Sequence, residues 1–157
     1  MNQSLRWHPL QKEWVIISPK RKKRFTTDNP FASTSPEMKG KTYPALLENK
    51  YPNFHFNDLP KDQKNGIYQT MPANGTSDII VETINEDGDF EDYTLEEIIK
   101  IINLINERNI ELESNEQIKF TFVFKNKGPS VGASLSHPHL QIYGMPYVPP
   151  YFLRAME

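Results

Sequence analysis

The stretch that decides the fold runs from Asn126 to Gly144 and reads N-K-G-P-S-V-G-A-S-L-S-H-P-H-L-Q-I-Y-G. Its first half is rich in small residues, and its second half has the alternating pattern of a β-strand. If His139 begins that strand, then His137, His139 and Gln141 share one face. Two imidazoles and an amide are costly to bury in an apolar core, so this face is predicted to meet a polar ligand.

Histidine in this position suits phosphorus chemistry. A neutral imidazole attacks without first losing a proton, and the nitrogen–phosphorus bond that forms is labile enough to pass the group on. The residues therefore indicate a nucleotide-phosphate site with His139 as the nucleophile, while Gly128, Gly132 and Ser134 allow the backbone to approach an anion closely. Two other interpretations of the histidine pair remain open from the residues alone: a hydrogen-bonded core histidine, and a shared metal ion.

The rest of the chain predicts an α+β domain. Thr94 and Glu97 form a capping box that begins a helix ending near Ser114. The helix is expected to be amphipathic and to pack on an antiparallel sheet as one domain covering residues 1–157, with an irregular segment over residues 25–48. Strands are predicted at residues 13–19, 77–83, 117–124 and 140–143, and the apolar face of the helix is predicted at Leu95, Ile98, Ile99, Ile102, Ile105 and Leu112.

Composition narrows the function classes. The net charge is −2 over 157 residues, with 37% hydrophobic and 24% charged residues, so neither a nucleic acid nor a membrane is predicted as a partner. No apolar run approaches the roughly 20 residues that span a bilayer, and residues 1–9 lack a signal-peptide pattern, so a cytoplasmic location is expected. The absence of cysteine excludes disulfides, thiol nucleophiles and cysteine-based zinc sites.

Four windows of the sequence, taken in order, carry a family resemblance. They are R-W-H-P-L-Q-K-E-W-V-I-I-S-P-K-R-K-K-R at residues 6–24, N-K-Y-P at 49–52, G-T-S-D-I-I-V-E-T at 75–83 and F-K-N-K-G-P-S-V-G-A-S-L-S-H-P-H-L-Q-I at 124–142. With these windows the chain resembles the histidine-triad (HIT-like) superfamily, specifically the N-terminal half of its galactose-1-phosphate uridylyltransferase branch. The resemblance implies a HIT-like domain.

The resemblance also implies a two-step reaction on nucleoside diphosphate sugars, with sugar phosphates as the other substrates. His139 would attack the α-phosphate, sugar 1-phosphate would leave, and a second phosphate would take the nucleotide from the histidine. Gln141 would hydrogen-bond a phosphoryl oxygen of the intermediate. By the same resemblance Gly132 and Ser134 would line the phosphates, Asn49 and Asn126 would lie near the nucleoside, and Arg21 or Arg24 would lie near the phosphates.

Each of these residues has a simpler interpretation. Arg21 and Arg24 belong to a basic cluster that could be a solvated surface. Asn49 could cap a turn, and Asn126 and Ser134 could be ordinary loop residues.

The chain departs from the family in three ways. Many members hold a structural zinc ion with C-x-x-C, a histidine after the third window and the first histidine of H-P-H. Here there is no cysteine and the third-window position holds Glu86, so no metal or other cofactor is expected and His137 becomes structural. Lys125 stands where uridylyltransferases often have glutamate, which weakens the uridine assignment. Family members are also about twice as long, and the missing half supplies part of the substrate site.

Two alternatives to a uridylyltransferase follow from these departures. One is a histidine-triad phosphorylase or hydrolase of ADP-sugars or dinucleotides that uses the same His139. The other is a nucleotide-binding module with weak catalysis, because the second half is absent. A homodimer would complete the site and favour the enzyme.

Overall fold

Strands and helices are assigned in a computed structural model that describes residues 3–18, 28–56, 63–131, 133 and 135–156. Short 3-10 turns lie at Pro36–Met38, Phe90–Asp92 and Pro129–Val131. The elements in chain order are β1 Ser4–His8, β2 Glu13–Ile17, β3 Ala45–Glu48, β4 Gln63–Asn65, β5 Tyr68–Pro72, β6 Thr76–Val81, α1 Leu95–Glu113, β7 Phe120–Lys125, β8 His139–Met145 and α2 Pro150–Ala155.

The strands form two antiparallel sheets. The first has the order β2-β1-β5-β4, and the second has the order β3-β6-β8-β7. All of the strand pairs are antiparallel, and α1 packs beside the second sheet. The α+β class with an antiparallel sheet is therefore confirmed.

Strand alternation in the second sheet places His139 and Gln141 on one face and the residues that pack against α1 on the other. Val81 pairs with His139 and Ile79 pairs with Gln141 across β6 and β8, so these four side chains share one face, here called the His139 face. The intervening residues point to the opposite face and pack against α1. The buried cluster on this opposite face consists of Ile80, Leu140, Ile142, Ile101, Leu112 and Ile118.

The His139 face is covered by two different parts of the chain. Near the end of β8, Tyr143 joins Leu5 of the first sheet and Phe54 in a buried cluster. Near the start of β8, Phe31 packs with Ile79 and Val81. Gly75, directly before β6, lies against the neighbouring strand β8: a Cβ there (φ +153°) would lie 2.0 Å from the Gly144 carbonyl oxygen, so this position requires glycine.

The helix begins as predicted, and the face that it buries agrees with the predicted one only in part. Thr94 Oγ1 accepts from the Glu97 amide at 3.3 Å and Glu97 Oε2 accepts from the Thr94 amide at 2.8 Å, which confirms the capping box. Ile101 and Leu112 are buried, whereas Leu95, Ile99 and Ile102, predicted on the buried face, are 73%, 47% and 55% exposed. Leu112 and Ile105, which packs against the core cluster on this side of the sheet, agree with the predicted face, whereas the buried Ile101 was not predicted. Leucine and isoleucine occur all around the helix, so their spacing alone could not select the buried side.

Two further observations concern the predicted organisation. Strand β3, Ala45–Glu48, lies within the segment 25–48 that was predicted to be irregular, and pairs with β6. In the part of the chain that the structure describes, no helix is both long and apolar enough to cross a membrane.

Candidate active site

His139 lies at the first position of β8, with its imidazole held by the main chain. The residue is 6% exposed, and its Nδ1 lies 2.7 Å from the carbonyl oxygen of His137. Because a carbonyl oxygen only accepts, Nδ1 carries the proton and donates. The neutral ring then has its lone pair on Nε2, which is the form that a nucleophile requires.

His137 is buried and has a partner on each ring nitrogen. Nε2 lies 2.8 Å from the Thr83 carbonyl oxygen, so Nε2 is protonated and donates. Nδ1 accepts from Asn29 Nδ2 at 3.0 Å. The other end of the Asn29 amide, Oδ1, accepts from the Phe31 amide at 3.0 Å. This arrangement attaches the H-P-H turn to the segment that directly follows β6 on one side and to residues 29–31 on the other.

Aromatic rings enclose the two histidines. The Phe31 ring lies 5.0 Å from the His139 ring and 6.0 Å from the His137 ring, measured between centroids. Tyr43 stacks on His137 with an interplanar angle of 13° and donates its hydroxyl to the Phe31 carbonyl oxygen. Burial, with a smaller effect of the Glu86 carboxylate, raises the pKa of Tyr43, so the hydroxyl stays protonated and can donate.

A cavity of about 950 Å³ lies on the His139 face. Phe31 and Ile79 line it, and Phe31 also packs on the His139 ring, although His139 itself does not line the cavity. Asn49 lines the cavity as well, while its Oδ1 accepts from the Tyr51 amide at 2.9 Å. The two interpretations of Asn49, a turn cap and a cavity residue, are therefore compatible. The volume lies within the range usual for small-molecule sites.

Gln141 follows His139 on the same face of β8, and its amide has a neighbour that orients it. Tyr143 Oη accepts from Asn53 Nδ2 at 2.6 Å, which leaves the Tyr143 proton directed to another acceptor. The Gln141 Oε1 lies 3.5 Å from that hydroxyl, at the long end of hydrogen bonding. This arrangement places the oxygen toward Tyr143 and leaves the Gln141 NH₂ group to donate to a ligand.

Lys125 lies on the opposite face of the sheet, among charges of its own. Its ammonium donates to Glu82 and Asp89 at 2.7 Å each and sits 4.6 Å from the centroid of the Phe90 ring. The hydrogen bonds from Lys125 and then Lys127 hold the pKa of Asp89 well below its usual range. Lys125 therefore holds the acidic loop to the sheet. Its side chain does not lie on the His139 face, where the nucleotide is expected.

The predicted site residues fall into two groups. The structure brings His137, His139 and Gln141 together on one face and places Asn49 in the adjoining cavity. Asn126 directly follows β7 and is half-buried, and its predicted place near the nucleoside stays a prediction. The remaining predicted residues, Arg21, Arg24, Gly132 and Ser134, lie outside the described residues.

Sequence reasoning missed the residues that surround His137. Asn29, Phe31 and Tyr43 all lie in the segment predicted to be irregular, and each contacts His137 in the structure. The available signal was Asn29-Pro30, a dipeptide typical of turns, in which the asparagine side chain often accepts from a nearby backbone amide. That signal predicts the bond to Phe31 but not the one to His137.

The residues around His137 do not fit the structural zinc site described above for the family that the sequence resembles. The lone pair of Nδ1 accepts from Asn29, and Nε2 is protonated toward Thr83. Glu86, at the position of the third-window ligand, is exposed. Among the residues that the structure describes, no three or more His, Asp or Glu side chains are grouped to hold a metal ion.

Together, the fold and this site define a domain that presents a main-chain-oriented histidine on the same face of the sheet as a cavity of about 950 Å³. Comparison with known proteins identifies the family: residues 26–149 match the galactose-1-phosphate uridyl transferase family, N-terminal domain. The chain belongs to this family, and the expected resemblance is confirmed.

Individual relatives agree with the family. A galactose-1-phosphate uridylyltransferase of Thermotoga maritima is 31% identical over 150 residues, which cover 92% of this chain and 47% of that protein. A solved uridylyltransferase structure superposes with a TM-score of 0.84 at 32% identity, covering 98% of this chain and 49% of that one. An ADP-glucose phosphorylase from Arabidopsis thaliana, solved with bound ADP-glucose, has a TM-score of 0.61 at 26% identity, covering 93% and 49%. This chain therefore spans about half the length of the relatives that it matches.

Proposed function

We propose that this chain carries the nucleophile of a nucleotidyltransferase that acts on nucleoside diphosphate sugars. The observation that carries the proposal is the 2.7 Å contact between His139 Nδ1 and the His137 carbonyl oxygen, because it sets the tautomer in which the ring nitrogen lone pair lies on Nε2. Family membership supports the same reaction class. The Thermotoga maritima relative is named for transfer of a uridylyl group, which favours UDP-sugars as substrates.

The reaction would proceed in two displacements at phosphorus. In the first, the Nε2 lone pair of His139 forms a bond to the α-phosphorus, and the bond from that phosphorus to the bridging oxygen breaks. Sugar 1-phosphate leaves with the electron pair. The imidazole then carries a positive charge, and the His137 carbonyl dipole stabilises the charge through the Nδ1 proton. In the second displacement a phosphate oxygen of the acceptor attacks the same phosphorus, and His139 leaves as neutral imidazole.

Gln141 and Asn49 would act on the two ends of the nucleotide. The NH₂ group of Gln141, on the same face as His139, would donate to a phosphoryl oxygen whose negative charge grows during displacement. Asn49, in the cavity, would bind the nucleoside. The apolar wall formed by Phe31 and Ile79 would cover the sugar and base and exclude water from the phosphorus.

A second candidate function shares the first displacement but differs in the nucleotide and the acceptor. The Arabidopsis thaliana relative is an ADP-glucose phosphorylase. By that likeness, His139 would take AMP from an ADP-sugar, and inorganic phosphate would accept it.

This chain spans about half the length of the matched relatives. We also propose that it forms a homodimer in which the second copy contributes to the substrate site. Light scattering coupled to size-exclusion chromatography, with and without nucleotide, is expected to give the mass of a dimer. A monomer under both conditions would contradict this part of the proposal.

Intact mass measurement without acid tests the nucleotidyl transfer. The protein is incubated separately with UDP-glucose and ADP-glucose, and we expect a UMP adduct from UDP-glucose. An AMP adduct alone would favour the phosphorylase. The matched variants are His139→Ala, which should abolish the adduct, and His8→Ala on the first sheet, which should keep it.

Two results would overturn the proposal. One is an adduct that persists in His139→Ala. The other is the absence of any adduct while nucleotide binding is intact, which would leave a binding module without the transfer reaction.

A further inference from the structure

A continuous series of hydrogen bonds passes through the buried ring of His137. The Phe31 amide donates to Asn29 Oδ1 at 3.0 Å, and Asn29 Nδ2 donates to His137 Nδ1 at 3.0 Å. His137 Nε2 in turn donates to the Thr83 carbonyl oxygen at 2.8 Å. The direction is fixed at both ends, because an amide N–H only donates and a carbonyl oxygen only accepts. Every polar atom in this series has a matching partner.

This series uses the lone pair that a metal ion would need. A neutral histidine has one nitrogen lone pair, and here it lies on Nδ1 and accepts from Asn29. Coordination at Nδ1 would break that bond and displace the Asn29 amide from its own bond to Phe31. Glu86, at the position of the third-window ligand, is exposed. The residues present therefore satisfy His137 without a metal.

We propose that Asn29 is a positioning residue that makes this site independent of zinc. By bonding His137, Asn29 closes residues 29–31 over the H-P-H turn and so holds the Phe31 ring 5.0 Å from the His139 ring. It also fixes the His137 residue whose carbonyl oxygen accepts from His139 Nδ1. Asn29 acts on the nucleophile only through these two neighbours.

The proposal does not depend on nucleotidyl transfer. It concerns the tautomer of His137 and the metal requirement of the folded chain, and both can be measured without a substrate. If nucleotidyl transfer is disproved, the proposal about Asn29 is unaffected. If the proposal about Asn29 is disproved, nucleotidyl transfer is unaffected.

The metal requirement is tested on the full chain produced in zinc-supplemented medium. Elemental analysis is expected to find far less than one zinc ion per chain after dialysis. The midpoint of urea unfolding is expected to be the same with and without EDTA. One retained zinc ion per chain, or a lower midpoint in EDTA, would overturn the proposal.

The role of Asn29 is tested by nitrogen-15 NMR of the histidine rings. In the unmodified chain His137 is expected to be neutral with the proton on Nε2. Asn29→Leu removes the donor with little change of side-chain shape, so the His137 Nδ1 signal should shift toward that of a free lone pair. Asn115→Leu is the matched control, because Asn115 Oδ1 accepts from the Gln117 amide at 2.9 Å in the same kind of turn without touching a histidine.

The outcomes of the NMR experiment are distinct. The control should keep the original His137 signals, and a shift there equal to that of Asn29→Leu would overturn the proposal. Unchanged His137 signals in a folded Asn29→Leu protein would also overturn it. If Asn29→Leu does not fold, the proposal is tested by the His137 tautomer in the unmodified chain. A proton on His137 Nδ1 would contradict the proposal.

Discussion

Arg108 and Asp78 form a buried ion pair that joins α1 to β6. Arg108 Nη2 and Nε lie 2.9 Å and 3.0 Å from Asp78 Oδ2, and the two side chains are 15% and 5% exposed. Burial raises the pKa of Asp78, and the guanidinium opposes that rise by stabilising the carboxylate. Asp78 pairs with Ile142 across β6 and β8, so the ion pair lies on the face of the sheet that packs against α1.

Arg108→Leu is expected to lower the free energy of unfolding by about 3–5 kcal/mol at neutral pH, because it leaves the Asp78 carboxylate buried without its partner. The loss should shrink as the pH falls. A carboxyl group whose folded-state pKa is raised costs stability above that pKa, and the cost disappears when the group takes up a proton. Urea unfolding at pH 7 and at pH 4 measures the change.

The control for this pair is Lys100→Leu, which breaks the exposed pair of Lys100 with Glu96 on the same helix. An exposed pair of this kind contributes little to the free energy of unfolding, because solvent and salt screen it. An equal loss in both variants, or an Arg108→Leu loss that grows at low pH, would contradict the burial of the Asp78 charge.

Ile101 and Ile102 are adjacent in sequence, but 1% and 55% exposed respectively. Ile101→Ala should lower the free energy of unfolding by about 2–5 kcal/mol, since it opens a cavity beneath the helix. Ile102→Ala should change it by about 0.5 kcal/mol or less. Chemical denaturation of both variants tests which face of α1 packs on the sheet, and the reverse order of effects would show that the other face does.

Gln141→Ala is expected to lower the rate of nucleotide-adduct formation about a hundredfold, since it removes a donor to the phosphoryl oxygen. Tyr143→Phe removes only the hydroxyl that orients the amide, so its effect should be about tenfold or less. Time-resolved mass measurement gives both rates. If the two variants behave alike, the hydroxyl rather than the amide is the important group.

Asn49→Ala is expected to weaken nucleotide binding about tenfold, equivalent to the loss of one hydrogen bond. Titration calorimetry with UMP and with AMP measures the affinity and shows which base the cavity prefers. Asn115→Ala loses a turn hydrogen bond of the same length, 2.9 Å, at a place away from the cavity. Weaker nucleotide binding by Asn49→Ala than by Asn115→Ala would show that Asn49 contacts the nucleotide. Equal binding by the two variants would show that it does not.

Local patterns predicted the elements whose signals are complete within a few residues. Thr94 and Glu97 are three residues apart and cap each other, so the start of α1 could be read directly. The alternation of His139 and Gln141 with Leu140 predicted both the strand and the face on which the polar groups lie.

Contacts between distant parts of the chain could not be predicted in this way. Asn29 and His137 are 108 positions apart, and nothing near either residue encodes their hydrogen bond. The partners of Lys125 lie 43 and 36 positions away, so no local pattern could predict these ion pairs. For α1, Ile101 and Ile102 are chemically identical, and only the position of the sheet decides which one is buried.

The alternation along β8 has a consequence for the gene. Leu140 and Ile142 belong to the helix-packed core, whereas His139 and Gln141 belong to the opposite face. An in-frame insertion or deletion of one codon between codons 139 and 141 would move one of the two polar residues to the other face, because side chains alternate with a period of two. Codon changes that alter length are therefore expected to be excluded from this strand among functional descendants, while substitutions that keep its length remain open to selection.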